Sequence, residues 1–387
     1  MLSIVVGHTS VDMQTGSLAV LLPLLLASFN LNYGRAALII SLNNIVIALA
    51  QPLFGILGDH KPMRWLMLIG CVLCGTAMAS VMLLPSYEWV LAAVIASGIG
   101  SAMFHPEALS AVRAVSGTRQ ATATSVFFFG GNLGFALGPF LATSLVAAFG
   151  AQGAPFMIVP TLIGLGALLS RRAQFSKPGP VVRRLSTVSS TGKRTSVATL
   201  VAFLLLLIAV RSLILSGLQT FIPLYFARFT EMPKTEVGVL VSVLVFSGAF
   251  GTLFGGPISE RIGRRNTMCL AMLIVLAMLF AFLRVTGSMQ VIALGIAGAC
   301  ITVPWPISVV MVQEAMPNNV GLASGLTLGL AYGASGLGVS ALGALADSIG
   351  LPMVMTVVTL LPVVVFAMSL FVPERVRASQ DTLGHNT

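Results

Sequence analysis

Residues 55–64 read Gly55-Ile56-Leu57-Gly58-Asp59-His60-Lys61-Pro62-Met63-Arg64, and residues 256–265 read Gly256-Pro257-Ile258-Ser259-Glu260-Arg261-Ile262-Gly263-Arg264-Arg265. Each closes an apolar run with small residues, then an acid, then basic residues. About 200 positions separate them, and the same offset recurs around them. Asp59 and Arg64 recur as Glu260 and Arg265, and Pro23 as Pro223. Gly98 and Pro106 recur as Gly298 and Pro306, and Gly130 and Gly134 as Gly329 and Gly333. One such match is chance, but a set in fixed order marks a duplicated unit. The chain reads as two related halves in parallel repeat.

What each half is made of follows from composition. The 387 residues are 57% hydrophobic and 8% charged, with mean hydropathy +0.99. Soluble domains carry roughly a quarter charged residues, so most of these side chains have no water to face. A membrane helix needs about 20 apolar residues. Twelve spans fit, at residues 4–29, 35–58, 65–84, 89–112, 122–148, 153–170, 197–226, 236–259, 266–285, 289–312, 320–346 and 351–371. The expected fold is an all-α membrane protein with an N-terminal six-helix half (1–170), a linker (171–196), a C-terminal six-helix half (197–373) and a tail (374–387). The linker is rich in Ser, Thr, Pro, Lys and Arg, the composition of a flexible connector. The first span lacks a basic n-region and a cleavage site and reads as retained.

The net charge of +10 follows the spans. Arg35, Arg228, Lys234 and Arg284 fall on one side of the membrane and Arg211 inside a span. The other sixteen of the 21 basic residues fall on the opposite side. This bias places both termini and the linker in the cytoplasm. It also explains the basic balance without nucleic acid. Cys71, Cys74, Cys269 and Cys300 all lie in apolar runs. Cys71 and Cys74 have metal-like spacing without a second ligand pair, so packing is the expectation and no metal site.

The polar residues inside spans are the candidates for chemistry, because a charge there is costly and usually marks a pathway or a proton relay. His8 and Asp12 are spaced i, i+4 on one face of span one. Alternatively, His8 lies near the inner surface and only caps or packs. Span four carries Gly98-Ile99-Gly100-Ser101-Ala102-Met103-Phe104-His105-Pro106-Glu107, where Pro106 interrupts the backbone ladder beside two titratable groups. Asp12, His8, His105 and Glu107 are the proton-coupling candidates; the alternative for Glu107 is an interfacial carboxylate. Arg211 is isolated in span seven and stays charged. Its partner is Asp12 across the halves or an anionic substrate. Gln14, Asn43, Asn132, Gln219 and Trp305 join it as substrate-binding candidates, with Trp305 offering an aromatic wall. Gly130, Gly134, Gly138 and Pro139 form a small-residue stripe for close helix packing. Asp59, Arg64, Arg113, Glu260 and Arg265 are candidates for a conformational latch. Glu314 and Asp347 read as interfacial.

The 55–64 loop resembles the cytoplasmic signature of the major facilitator superfamily, and the span-five stripe resembles its antiporter motif. The trailing glycine pair of that motif is Ala142-Thr143 here. His8-x-x-x-Asp12, the 98–107 run and Gly131-Asn132-x-Gly134-x-x-x-Gly138-Pro139 look like the fosmidomycin-resistance family. The likeness covers most of the first half; the second matches at superfamily level. The resemblance implies a monomeric proton-coupled exporter of drug-like or small anionic molecules in a bacterial inner membrane. Its partners are substrate, protons and lipid, and it has no cofactor beyond the proton gradient. Many drug antiporters carry an arginine in span four, where this chain has Val94. The alternative is an uptake symporter for an organic anion or siderophore-like carboxylate. No nucleophile elbow, phosphate loop or ATP-binding motif points to an enzyme or a primary pump.

Overall fold

The computed structural model describes residues 1–31, 33–60, 63–171, 197–230, 232 and 234–374. The expected linker from 172 onward, the tail from 375 onward, and Lys61 and Pro62 lie outside the described residues. The first half holds α1 (Leu2–Ser28), α2 (Tyr33–His60), α3 (Trp65–Ser80), α4 (Tyr87–Val115), α5 (Gln120–Phe149) and α6 (Ile158–Leu169). The second holds α7 (Val197–Phe229), α8 (Lys234–Ile262), α9 (Arg264–Phe282), α10 (Ser288–Thr302), α11 (Pro304–Ala315), α12 (Val320–Ile349) and α13 (Leu351–Ser369). Helices α10 and α11 are two pieces of one apolar stretch, Ser288–Ala315. They give a twelve-span membrane protein of two six-span halves.

The repeat is visible in the backbone. Helices α5 and α12 start at 120 and 320, and both close on a glycine with positive φ, Gly150 at 64° and Gly350 at 86°. Only glycine takes that conformation without strain, so it ends both helices at equivalent points.

Two expected elements differ in form. Residues 150–157 make a 3-10 turn, so α6 starts later than the expected span six. There the chain doubles back on α5 so closely that a Cβ at Gly153 would strike the Leu145 carbonyl. In span ten the helix breaks at Val303, because Pro304 and Pro306 cannot donate to the preceding turn.

Each half has its own core. One cluster runs from Leu204 to Val372, entirely within α7–α13 and its C-terminal edge. Leu18, Leu21, Ile39, Met78 and Val90 belong to a first-half cluster. Many large apolar side chains point outward, such as Leu2, Phe140, Leu337 and Phe371. On a soluble protein they would form adhesive patches, but on this one they face lipid. Inside the first half, the stripe on α5 packs against α1. A Cβ at Gly134 or Gly138 would strike the carbonyl of Thr9 or Met13, and Thr9 Oγ1 donates to Gly130 O at 2.8 Å.

The halves touch along two seams, α2 against α12 and α5 against α8. On the first, a Cβ at Gly321, Gly325 or Gly329 would run into backbone carbonyls of Gly55, Gln51 or Ala48. The same stripe continued at Gly333 and Gly336 faces open space. The halves are closed at the end carrying Asp59 and diverge toward the other.

Candidate proton and substrate site

Asp12 sits between two imidazoles. His8 Nε2 lies 3.0 Å from Asp12 Oδ2, and His105 Nε2 lies 3.2 Å from Asp12 Oδ1. The i, i+4 spacing on α1 supplies the first contact. The second crosses from α4, 93 residues away. All three residues are at least nine-tenths buried, at 2%, 8% and 2% exposure. The outer ring nitrogens are anchored: His8 Nδ1 donates to Phe127 O at 2.8 Å, and His105 Nδ1 donates to Ser101 O at 2.7 Å. Phe127 stacks on the His8 ring at 3.9 Å between centroids. Gly131 leaves the room: a Cβ there would strike His8 and lie 2.6 Å from Asp12 Oδ2. One nitrogen or oxygen atom from each of the three residues lies within 4.8 Å of the other two.

Glu107 is placed elsewhere. It turns away from His105 and meets Arg64 at 3.2 Å, with Arg64 also donating to the Glu107 carbonyl at 2.9 Å. The reason is helical geometry: residues two apart project on nearly opposite faces. Glu107 therefore joins the latch end of the bundle, packed over Gly58, where a Cβ would strike Oε1.

The candidate latch residues make two symmetric sets of contacts between the halves. Asp59 accepts from the amides of Gly321 and Leu322, both at 2.7 Å, at the start of α12 in the other half. Glu260 accepts from Thr122 N at 3.0 Å and Thr122 Oγ1 at 2.6 Å, at the start of α5. A carboxylate at a helix N-terminus satisfies free amides and meets the positive end of the dipole. Behind these, Arg64 pairs with Glu107 in the first half, and Arg264 grips Glu314 through two contacts of 2.6 and 2.8 Å in the second. The expected repeat of Arg64 at Arg265 is thus corrected: Arg264 is buried and paired, while Arg265 is exposed. Glu314 belongs to this pair and is more than an interfacial acid. Arg113 sits at the same end with its buried Nη1 lacking a hydrogen-bond partner.

Arg211, 5% exposed, is not paired with Asp12. Its guanidinium lies over the Trp305 ring, 4.2 Å from the centroid, and donates to Ser212 Oγ at 2.9 Å. Its Nε has no hydrogen-bond partner. Among the described residues no carboxylate forms an ion pair with it. Trp305 stands just past the helix break at Val303. Trp305 also meets Phe128 edge-on at 5.5 Å, so one ring touches both halves.

The remaining polar candidates divide. Gln14 points into the first half and donates to Met157 O and to Thr161 Oγ1, the latter at 2.9 Å. Asn43 donates to Val94 O at 3.0 Å, again within that half. Asn132 bridges the halves, donating to Thr252 Oγ1 at 3.1 Å. Gln219 is half-buried on α7. Sequence reasoning missed Gly131, Ser212, Thr122, Phe128 and Arg264 as site or latch residues. Arg264 had a signal in the offset of 200 from Arg64.

A buried carboxylate–imidazole cluster and a buried arginine lie in two repeated halves that part at one end, an arrangement that fits a membrane transporter. The family comparison agrees: the model of the Major Facilitator Superfamily matches residues 4–232 and 204–385, and the chain belongs to that family. It is therefore a transporter and not an enzyme. Among named relatives, it is 28% identical to the Fosmidomycin resistance protein of Escherichia coli (strain K12), over 96% of this chain and 92% of that one. It is also 28% identical to the MFS-type transporter YfnC of Bacillus subtilis (strain 168), over 93% and 90%. In fold it is similar to the transporter FucP in the outward conformation, with TM-score 0.70, 14% identity and 95% and 97% coverage. A bacterial homologue of the iron transporter ferroportin in an outward-facing state gives TM-score 0.72, 14% identity and 95% and 98% coverage.

Proposed function

We propose that the chain is a proton-coupled exporter of small, drug-like organic anions, working by alternating access from a bacterial inner membrane with both termini cytoplasmic. The observation that carries the anion is Arg211. A buried, uncompensated guanidinium is costly, and its fork suits a carboxylate or a tetrahedral oxyanion. Trp305 beside it gives a flat surface for the substrate's apolar part. Asp12 with His8 and His105 takes the protons. The basic-residue bias puts the Asp59 and Glu260 latches on the cytoplasmic side, so this arrangement is open outward. A relative named for fosmidomycin resistance favours export over uptake.

The test is transport in proteoliposomes containing a pH dye, with a panel of organic anions and an imposed proton gradient. Proton movement opposite to substrate, abolished by Asp12→Asn, is the expected result. Movement in the same direction would make the protein an uptake symporter. Substrate flux without proton flux would return the triad to a structural role. Glu107→Gln is expected to leave the proton response present and change its rate, since Glu107 holds Arg64.

A further inference from the structure

The ring nitrogens of the triad fix how many protons it holds. His8 Nδ1 faces Phe127 O at 2.8 Å, and His105 Nδ1 faces Ser101 O at 2.7 Å. A carbonyl accepts and never donates, so the short carbonyl contacts place a hydrogen on both Nδ1 atoms; Ser101 Oγ, 3.2 Å from His105 Nδ1, is the longer contact and accepts from the same hydrogen. The same rings turn Nε2 to Asp12, at 3.0 Å from Oδ2 and 3.2 Å from Oδ1. If both rings were neutral, each Nε2 lone pair would face a carboxylate lone pair, and neither contact would be a hydrogen bond. Each gap needs one proton. An ionised Asp12 between two imidazolium rings meets that need. So does a carboxylic acid donating to one neutral ring and accepting from one imidazolium. Both have the same count, two protons above the state with neutral rings and an ionised acid.

From this we infer that the triad is a two-proton site. It holds two protons while both Asp12 contacts are made, and loss of the first opens one of them. The inference rests on the proton-coupled reading above and adds its stoichiometry. The site's net charge runs from +1 with both protons, through zero, to −1 with neither. Other ionisable groups facing Asp12 are Cys74 from α3 and Tyr332 from α12. Cys74 is tied to Ser97 Oγ at 3.4 Å. As thiol and phenol they carry no charge and leave the count unchanged. From α5 the triad meets the aromatic rings of Phe127 and Phe128 and the bare backbone of Gly131.

The experiment needs no substrate. The full chain has four histidines; His60→Gln and His385→Gln leave the two of the triad. Histidine labelled with 15N, in protein reconstituted into nanodiscs, is followed by NMR as pH rises from acid to alkaline. An imidazolium shows two protonated nitrogens and a neutral ring shows one bare nitrogen. The expected result is that both rings begin with two N–H groups and both lose the Nε2 proton. Nδ1 stays protonated in each, and the first loss shifts the signals of both rings. In Asp12→Asn the amide supplies an N–H to one ring and accepts from the other, so the count falls from two to one. A ring that never gains a second N–H, or a neutral state with a bare Nδ1, overturns the proposal. So does purified protein carrying a stoichiometric transition metal on both Nε2 atoms. If the Asp12→Asn chain fails to fold, the count in the parent protein decides alone. A one-proton result leaves the antiport reading standing at lower stoichiometry. Flux without protons in the transport assay removes that reading and leaves this count untouched.

Discussion

Gly131 has no side chain to offer and yet fixes the triad, because His8 and Asp12 fill the space its Cβ would need. Gly131→Ala is expected to force the pair apart, with an overpacking cost of about 1–3 kcal/mol. Substrate-driven proton movement should fall at least tenfold while the protein still folds, checked by thermal unfolding in parallel with the dye assay. Arg211 makes the opposite kind of prediction. Its charge is buried without a counter-ion among the described residues, so Arg211→Met should keep or raise the unfolding temperature while abolishing anion binding, since replacing buried charge with apolar bulk is often neutral or stabilising by about 1–4 kcal/mol. Arg211→Lys keeps the charge but loses the fork, and binding should weaken without disappearing. Unfolding scans and equilibrium binding of an anion that passes the transport screen check both variants. At this scale the sequence exposed Asp12 and Arg211, because a charge inside an apolar run stands out. It could not show that His105 joins Asp12 while Glu107 leaves for Arg64. That outcome depends on which face of α4 meets α1, and periodicity in a helix apolar nearly all round does not say. The sequence left Asp12 or an anionic substrate as the partner of Arg211, and of these Asp12 is taken by the two histidines.

The latches act through whole helices. Asp59 holds the first amides of α12, and Glu260 holds the first turn of α5, each reaching into the other half. Under the alternating-access reading proposed above, these bonds hold only while that end is closed and so would bias the equilibrium between states by their own strength. Asp59→Asn removes the charge and one of the two accepting oxygens, worth about 1–2 kcal/mol against a helix N-terminus. The ratio of closed to open should fall by roughly tenfold, read as a broadened distance distribution between spin labels on the facing ends of α2 and α12. Gly325→Val acts harder at the same seam, because its side chain must enter the space of the Gln51 carbonyl. It is expected to hold the Asp59 end open and stop transport with binding intact from that side. The acids of both latches were legible from the duplicated loops. Their targets were not, because backbone amides carry no sequence signature. The choice between Arg264 and Arg265 turned on which residue follows the positive-φ Gly263 into α9.

For the molecule as a whole, the proposed proton site lies entirely in the first half, while the proposed substrate arginine lies in the second. Coupling between them would therefore cross the seam. The described contacts offer one continuous aromatic route: Arg211 over Trp305, Trp305 edge-on to Phe128, Phe128 beside Phe127, and Phe127 stacked on His8. This route says where coupling can be cut while the charged groups of both sites stay in place. Phe128→Leu keeps an apolar side chain of similar bulk and leaves Arg211, Trp305, Asp12 and both histidines in place. If the rings transmit the exchange, anion binding and the two-proton count should each survive, while protons moved per anion fall. Allosteric couplings of about 1–3 kcal/mol are typical, so the anion's effect on proton affinity should shrink by roughly five- to a hundredfold. Measuring that effect in the parent, Phe128→Leu, Trp305→Phe and the double variant gives the coupling between the two rings directly. Additive losses would mean that the halves communicate through their rigid-body motion at the latches and not through this route. A double variant no worse than either single one would assign the coupling to the Phe128–Trp305 contact.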